Sequence, residues 1–369
     1  MYPVSLRFQR TYSLNDTKEK IEGIFQESWA GYHALRRGDS TLLKPNCLSA
    51  KPPEAAVTTH PTILEATIQL LLDHGCRVAI GDSPALQKLQ NVAKKAGIMP
   101  VAEHYSARLQ SFNDPVEIKG PENGIFRTFE ISRHCLEYDH FINLAKFKTH
   151  TMMVLTLCVK NLFGCVPGKK KAAWHLSIGE DRRLFARMLV ELASVLPVDF
   201  HLLDGIVAME GNGPGNGTPT TLGVLMGGEN AAAVDMIAAR LIGMKPSDLP
   251  TCRAASKIGA GPTHWEEIAV LGDPLPSSPL PFKLPSPTRT DWGLPGILKA
   301  TLSRFLLPFP HVEKNQCKVC LQCQEVCPPG AISLKNGEIS IATAKCIRCY
   351  CCQEVCPEDA ISFKRRLIR

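Results

Sequence analysis

The run CKVCLQCQEVCPPGAIS at residues 317–333 returns as CIRCYCCQEVCPEDAIS at 346–362, an internal repeat shifted by 29 residues. Each copy is one Cys-x2-Cys-x2-Cys-x3-Cys-Pro run. Thiolates three residues apart on a tight loop can occupy three corners of one iron–sulfur cube, while the fourth Cys, carried away by its Pro, reaches a second cube. The ligand sets therefore cross. The first 4Fe-4S cluster is expected on Cys317, Cys320, Cys323 and Cys356, and the second on Cys346, Cys349, Cys352 and Cys327. Paired Cys-x2-Cys knuckles also make zinc sites, but zinc needs neither a third Cys at the same short spacing nor the Cys-Pro. Cys351, a ninth thiol beside Cys352, reads as a bystander that could compete in ligation.

Residue for residue, 312–364 resembles a bacterial two-cluster ferredoxin, which implies a small α+β iron–sulfur domain. Asn336-Gly337 between the halves, flanked by alternating apolar residues, is the hairpin signal such a fold needs. The chain holds 15 cysteines, and in a reducing compartment that number argues for metal ligation over disulfides. The other six (Cys47, Cys76, Cys135, Cys158, Cys165, Cys252) read as buried apolar thiols, with Cys158 and Cys165 set near Lys160.

Upstream of the repeat, nine prolines between 274 and 310 preclude regular structure and read as a semi-rigid spacer, with room for one short amphipathic helix at 296–307. Before the spacer, short β-rich runs alternate with stretches of helical period. Strands are expected at 41–48, 77–82, 139–144, 200–209, 222–226 and 268–272, and helices at 61–74, 180–196 and 231–242. That alternation predicts an α/β fold with a mostly parallel sheet and flanking helices. The expected division is an α/β domain over 1–273, a Pro-rich linker over 274–311 and a ferredoxin-type domain over 312–369.

The 369 residues are 44% hydrophobic and 21% charged, enough apolar material for packed cores and too apolar for a disordered chain. The most apolar stretches fall short of the ~20 residues a membrane-spanning helix needs. The opening MYPVSLRFQRTYSLND has no apolar core or small-residue cleavage site, so a cytoplasmic location and no membrane insertion are expected. The formal charge is +7, but two oxidised cubes with their thiolates bring it to about +3, so the basic balance is no argument for a nucleic-acid partner.

Most of that excess sits in residues 140–179, forty residues holding Lys146, Lys148, Lys160, Lys169, Lys170 and Lys171, with His150 and His175, and no Asp or Glu. A solvated basic face would not interleave its lysines with apolar residues as NLAKFKTHTMMVLTLCVKNLFG does, so a pocket for a small anion is favoured over a polyanion-binding face. Lys44, Asn46, Lys146, Lys148, His150, Lys160 and Asn161 are the candidate anion contacts, because they fall at or near strand ends, where open α/β sheets bind ligands. The EGNGPGNG loop at 210–217 adds Gly211 and Gly213, whose backbone could approach a ligand closely. Asp82, Asp204, Glu210 and His175 are the candidate acid–base groups, with Asp235 as a further acid. The basic segment and the Gly-rich loop are expected to meet in one pocket facing the clusters.

Blocks over residues 40–272 resemble the domain of unknown function 362 family: LKPN (43–46), GDSP (81–84), INLAKFKTH (142–150), VKNLFGCVPGKKKAAWH (159–175), LLDGIVAMEGNGPGNG (202–217) and AAAVDMIAARLIG (231–243). The resemblance implies an α/β fold and a redox or metal-linked role, and it names no substrate. Two functions fit. In the first, an iron–sulfur oxidoreductase, the clusters supply electrons to a small anionic substrate or further anionic cofactor in the α/β domain. In the second, the chain is a non-catalytic electron carrier whose α/β domain docks a redox partner enzyme.

Overall fold

The computed structural model describes residues 1–168, 170–285 and 309–364. In chain order the larger domain contains β1 (Tyr2–Phe8), α1 (Leu14–Ser28), β2 (Ser40–Pro45), α2 (Pro61–Asp73), β3 (Arg77–Asp82), α3 (Leu89–Lys95), α4 (Ile98–His104) and β4 (Arg108–Ser111). It continues with β5 (Pro115–Lys119), β6 (Thr128–Ser132), β7 (His140–His150), β8 (Val154–Thr156), α5 (Cys158–Asn161), α6 (Lys170–Ile178) and α7 (Arg182–Val195). The last elements are β9 (Phe200–Glu210), β10 (Thr218–Gly228), α8 (Ala231–Leu241), α9 (Pro250–Ile258) and β11 (Ile268–Gly272).

The helices start and stop where side chains can satisfy their end groups. Pro61 opens α2 behind His60, whose ring accepts from Thr62 N, and Gly75 at φ +78° ends it. Asp181 caps α7 through Arg183 N and Leu184 N, and Asn230 caps α8 through Ala233 N.

Among the described residues, nine strands form the main sheet in the order β11-β1-β10-β9-β7-β2-β3-β4, with β8 paired to β7. Neighbours are parallel except around β10 and at β8, so the expected mostly parallel sheet is present. One apolar core packs α7, α8 and α9 on one face of the sheet, and a second packs α1, α2, α3 and α4 on the other. From β2 the chain moves outward through β3 to β4 and then returns to the other side of β2 as β7. The strand order thus reverses between β2 and β7, and the carboxyl ends of those strands form the crevice where open α/β sheets bind ligands.

β7 runs on to His150, six residues beyond the expected strand end, which brings Lys146 and Lys148 into the sheet itself. The N-terminal strand is also unanticipated. β1 inserts between β10 and β11, antiparallel to the first and parallel to the second.

The start of the Pro-rich stretch lies on the larger domain. Leu280 N donates to Leu241 O at 2.7 Å, and Phe282 packs edge-on against Phe147 at 5.2 Å. The helix expected at 296–307 lies outside the described residues. The small domain comprises β12 (Phe309–Val312), α10 (Gln322–Val326), β13 (Ile332–Lys335), β14 (Glu338–Ile341), α11 (Cys351–Val355) and β15 (Ile361–Lys364). β12 pairs antiparallel with β15, and β13 with β14 across the Asn336-Gly337 turn, both of whose residues have positive φ.

Candidate functional site

The two cysteine loops fold alike. Val319 and Leu321 in the first, and Arg348 and Tyr350 in the second, all adopt positive φ between 50° and 65°, a conformation costly for side chains of this kind. The same strain at the same repeat positions curls each loop so that its thiols face inward. One cavity of about 320 Å³, open mouth included, is lined by Cys317, Cys320, Cys323 and Cys356, and another of about 330 Å³, measured likewise, by Cys327, Cys346, Cys349 and Cys352. Each cavity gathers the four cysteines of one expected set, a donor set that would suit a 4Fe-4S cube. Backbone N–H groups of Ala331, Arg348 and Ala360 point at the sulfurs of Cys327, Cys346 and Cys356 at 3.2–3.4 Å, as donors that stabilise thiolate and tune a cluster's potential. Such clusters supply one-electron transfer when bound.

The two loops differ in exposure. Cys320 is exposed, whereas Cys349 and Cys352 are buried and Tyr350 keeps 2% of its surface. The second loop is the one held against the α/β domain. Arg348 Nη1 donates to both carboxylate oxygens of Glu180 at 2.7 and 2.8 Å, and Arg182 donates to the Tyr350 hydroxyl at 3.2 Å. Lys51 donates to Pro357 O at 2.9 Å.

Between the domains lies a cavity of about 1090 Å³, open mouth included, at the carboxyl ends of β2, β3 and β7. The α/β side contributes Lys44, Asn46, Asp82, Lys148, His150, Thr156, Lys160, Asn161, Lys171 and His175, and α10 and α11 contribute Glu325, Val326, Cys351, Glu354 and Val355. Lys44 is buried and ion-paired with Asp82 at 2.9 Å, and Asp82 also accepts from Cys47 N and Ser83 N. A Cβ at Gly164 would run into both partners of that pair. Lys148 donates to Asn46 Oδ1 at 2.9 Å and Val57 O at 2.6 Å, and Asn46 is bonded in turn to Asn161. Lys160 forms no hydrogen bond or ion pair with the described residues, and its ammonium lies 5.5 Å from the centre of the Phe163 ring.

His150 fixes the contact between domains. Its Nδ1 accepts from Met152 N and Met153 N, so the neutral ring carries its proton on Nε2, which lies 2.9 Å from Glu354 Oε1. That approach is too oblique for a straight hydrogen bond, leaving both atoms partly free. Burial, aided by the Lys160 charge, brings His150 down to about 4 and Lys148 down to about 7. Burial likewise lowers Lys171 to about 8 and His175 to about 3. For Glu354 burial pushes upward, but His150 and Lys160 overcome it and hold the carboxyl at about 2. Among the described residues the buried atoms His175 Nδ1 and Thr156 Oγ1 have no partner.

Of the candidates from the sequence, Lys44, Asn46, Lys148, His150, Lys160, Asn161, Asp82 and His175 come together in this cavity. Lys146 does not. Its ammonium binds Asp204 at 2.7 Å and the Tyr12 hydroxyl at 2.9 Å, and Asp204 also accepts from Tyr12 and His60 N. The register of β7 against β9 breaks between Lys146, opposite Asp204, and Lys148, opposite Met209, so the two lysines take different partners. Asp204 is therefore a structural counter-ion. Glu210 is occupied by Lys283 N, and Asp235 accepts from Cys158 N and Val159 N at the start of α5. Gly211 and Gly213 do not offer free N–H groups. The first donates to Lys283 O and the second to Thr149 Oγ1, so the loop presents only Pro214 to the cavity. Cys158 and Cys165 are buried off the cavity, whereas Cys47 and Cys351 line it. Lys170 pairs on the surface with Glu130, and Lys169 lies outside the described residues.

Sequence reasoning missed Thr156, Lys171, Cys351, Glu325 and Glu354 as lining residues. A signal for the last two was present. Gln-Glu-Val occurs in both cysteine repeats, at 324–326 and 353–355, though cluster ligation does not require it, and both Glu-Val pairs face the cavity.

Residues 41–240 match the family described as Domain of unknown function (DUF362), and residues 309–357 match a 4Fe-4S dicluster domain. The thylakoid-associated protein sll1697 of Synechocystis sp. (strain ATCC 27184 / PCC 6803 / Kazusa) is 34% identical over 312 residues, 83% of this chain and 95% of that one. Among solved structures, the lactate racemase apoprotein of Thermoanaerobacterium thermosaccharolyticum aligns at 14% identity with a TM-score of 0.42, over 66% of this chain and 57% of that one. A Thermotoga maritima protein from structural genomics aligns at 11% identity and a TM-score of 0.38, over 55% and 52%. No helix among the described residues is long and apolar enough to cross a membrane, and the relative's name associates it with thylakoids, so the expected cytoplasmic location is neither supported nor overturned. Sequence family and cysteine geometry agree: the chain belongs to the DUF362 family and carries a ferredoxin-type 4Fe-4S dicluster domain at its C-terminus.

Proposed function

We propose that the chain is an iron–sulfur oxidoreductase in which a small anionic substrate or cofactor binds between the α/β and ferredoxin-type domains and exchanges electrons with two 4Fe-4S clusters. The observation that carries this reading is the inter-domain cavity, lined on one side by Lys148, Lys160 and Lys171 and on the other by α11, the helix that bears Cys352 and is followed directly by Cys356. Cys351, on the same helix, lines the cavity next to the cluster ligand Cys349, so a bound molecule would lie close to the second cluster. The exposed Cys320 puts the first cluster where a redox partner protein could reach it. We take the domains as 1–273 and 312–369 with the Pro-rich stretch between them, the ends of that stretch adding Leu280 and Phe282 to the packing of the first and the strand Phe309–Val312 to the second.

Anaerobic purification tests the clusters, with about eight irons and eight sulfides expected per chain and one or two zinc ions contradicting the reading. Lys160→Gln tests the rest. It should keep the iron, weaken anion binding about tenfold and slow anion-dependent reoxidation of the reduced protein in proportion. A pure electron carrier would show neither change.

A further inference from the structure

The cavity's charges nearly cancel. Among the described lining residues, Lys44, Lys148, Lys160 and Lys171 face Asp82, Glu325 and Glu354, an excess of one positive charge before the negative charge of a bound second cluster is counted. Lys44 is already spent on Asp82. Burial makes Lys148 and Lys171 reluctant cations, so a dianion would find little to balance it. The groups left to bind are the Lys160 ammonium, the Thr156 hydroxyl and His175 Nδ1, the last two buried and unpartnered. No arginine lines the cavity among the described residues, and its lining glycines, Gly164 and Gly168, are closely packed rather than arranged as an anion nest. Phosphate recognition favours such forks and nests. Part of the lining is apolar: Leu86 and Val355 pack with Cys351 and Cys349.

Resting on the function proposed above, we propose that the ligand is a monocarboxylate with a conjugated apolar body, its carboxylate held by Lys160, Thr156 and His175 and its body lying against Leu86 and Val355 beside Cys351. A conjugated body suits the redox partner, because a group that delocalises its half-reduced state accepts electrons one at a time most readily. Apolar walls with a few convergent polar groups are the usual make-up of such sites.

The test is calorimetric titration of the anaerobic holoprotein with benzoate, sorbate, formate and inorganic phosphate. Benzoate and sorbate should bind about tenfold tighter than formate, which has the head and no body. Lys160→Gln should weaken benzoate about tenfold with iron content unchanged, and Leu86→Trp should weaken benzoate but not formate. If Leu86→Trp does not fold, Thr156→Val reports on the head contact, again as weaker benzoate binding at full iron content. Phosphate binding tighter than benzoate and lost in Lys160→Gln overturns the carboxylate class and leaves the anion site standing. Benzoate affinity unmoved by the cavity variants overturns the assignment to this site. Failure of all four anions to bind overturns both this inference and the function on which it rests.

Discussion

His150 on β7 and Glu354 on α11 meet at 2.9 Å across the boundary between the α/β and ferredoxin-type domains. Because Glu354 is held as a carboxylate among Lys148, Lys160 and the two histidines, it tempers the positive potential of the cavity. Glu354→Gln removes that charge and nearly preserves the shape. Benzoate should then bind more tightly, by on the order of tenfold for about 1.4 kcal/mol of relieved repulsion. Calorimetry checks the direction, and weaker binding would mean that Glu354 contacts the ligand favourably.

Anion binding should depend on pH. Lys148 is drawn down to about 7 by burial and by Lys160, with Lys146 adding repulsion and Glu354 and Asp82 opposing it. It is charged below that pH and neutral above it, and Lys171 follows at about 8. Benzoate affinity should therefore fall several-fold as pH rises from about 6 to 9. In Lys148→Met the Lys148 part of that slope should vanish. A flat profile in the wild-type protein would contradict the electrostatics described.

The ninth thiol separates ligation from proximity. Cys351→Ser should retain about eight irons, because the Cys351 side chain lines the inter-domain cavity and not the second thiol cavity. Cys352→Ser should lose the second cluster. Iron and sulfide analysis distinguishes them, and loss of iron in Cys351→Ser would mean that the adjacent thiols exchange roles.

What was legible follows the range of the interactions involved. The cluster module could be read because its chemistry is local: three thiols within seven residues and a Pro after the fourth set the crossed ligand sets before any tertiary contact is known. Strands such as β3 and β9 were legible from their own apolar pattern. Lys146 and Lys148 mark where this ends. They are two residues apart in the same strand and look alike in sequence, yet a register break against β9 gives one to Asp204 and the other to the cavity. The Gly-rich loop misled for a related reason. Its glycines permit close approach to Thr149 and to Lys283, not to a ligand. Glu354 was hidden because its role depends on docking between segments some 200 residues apart.

The Lys146–Asp204 pair gives a prediction that separates stability from binding. Lys146→Met leaves the Asp204 carboxylate buried without its cation, and should cost about 3–5 kcal/mol of stability. Benzoate affinity at a temperature where the variant is folded should stay within about twofold of wild type, because Lys146 does not line the cavity. Denaturant titration beside calorimetry checks both halves, and a large loss of affinity would return Lys146 to the site.

The central claim is that an anion in the inter-domain cavity lies within electronic reach of the second cluster. Pulsed electron paramagnetic resonance on the reduced holoprotein with isotope-labelled benzoate measures this directly. The account predicts a hyperfine coupling between the label and the reduced cluster held by Cys327, Cys346, Cys349 and Cys352, abolished in Lys160→Gln. Saturating benzoate with no coupling to either cluster would place the anion elsewhere and contradict the claim.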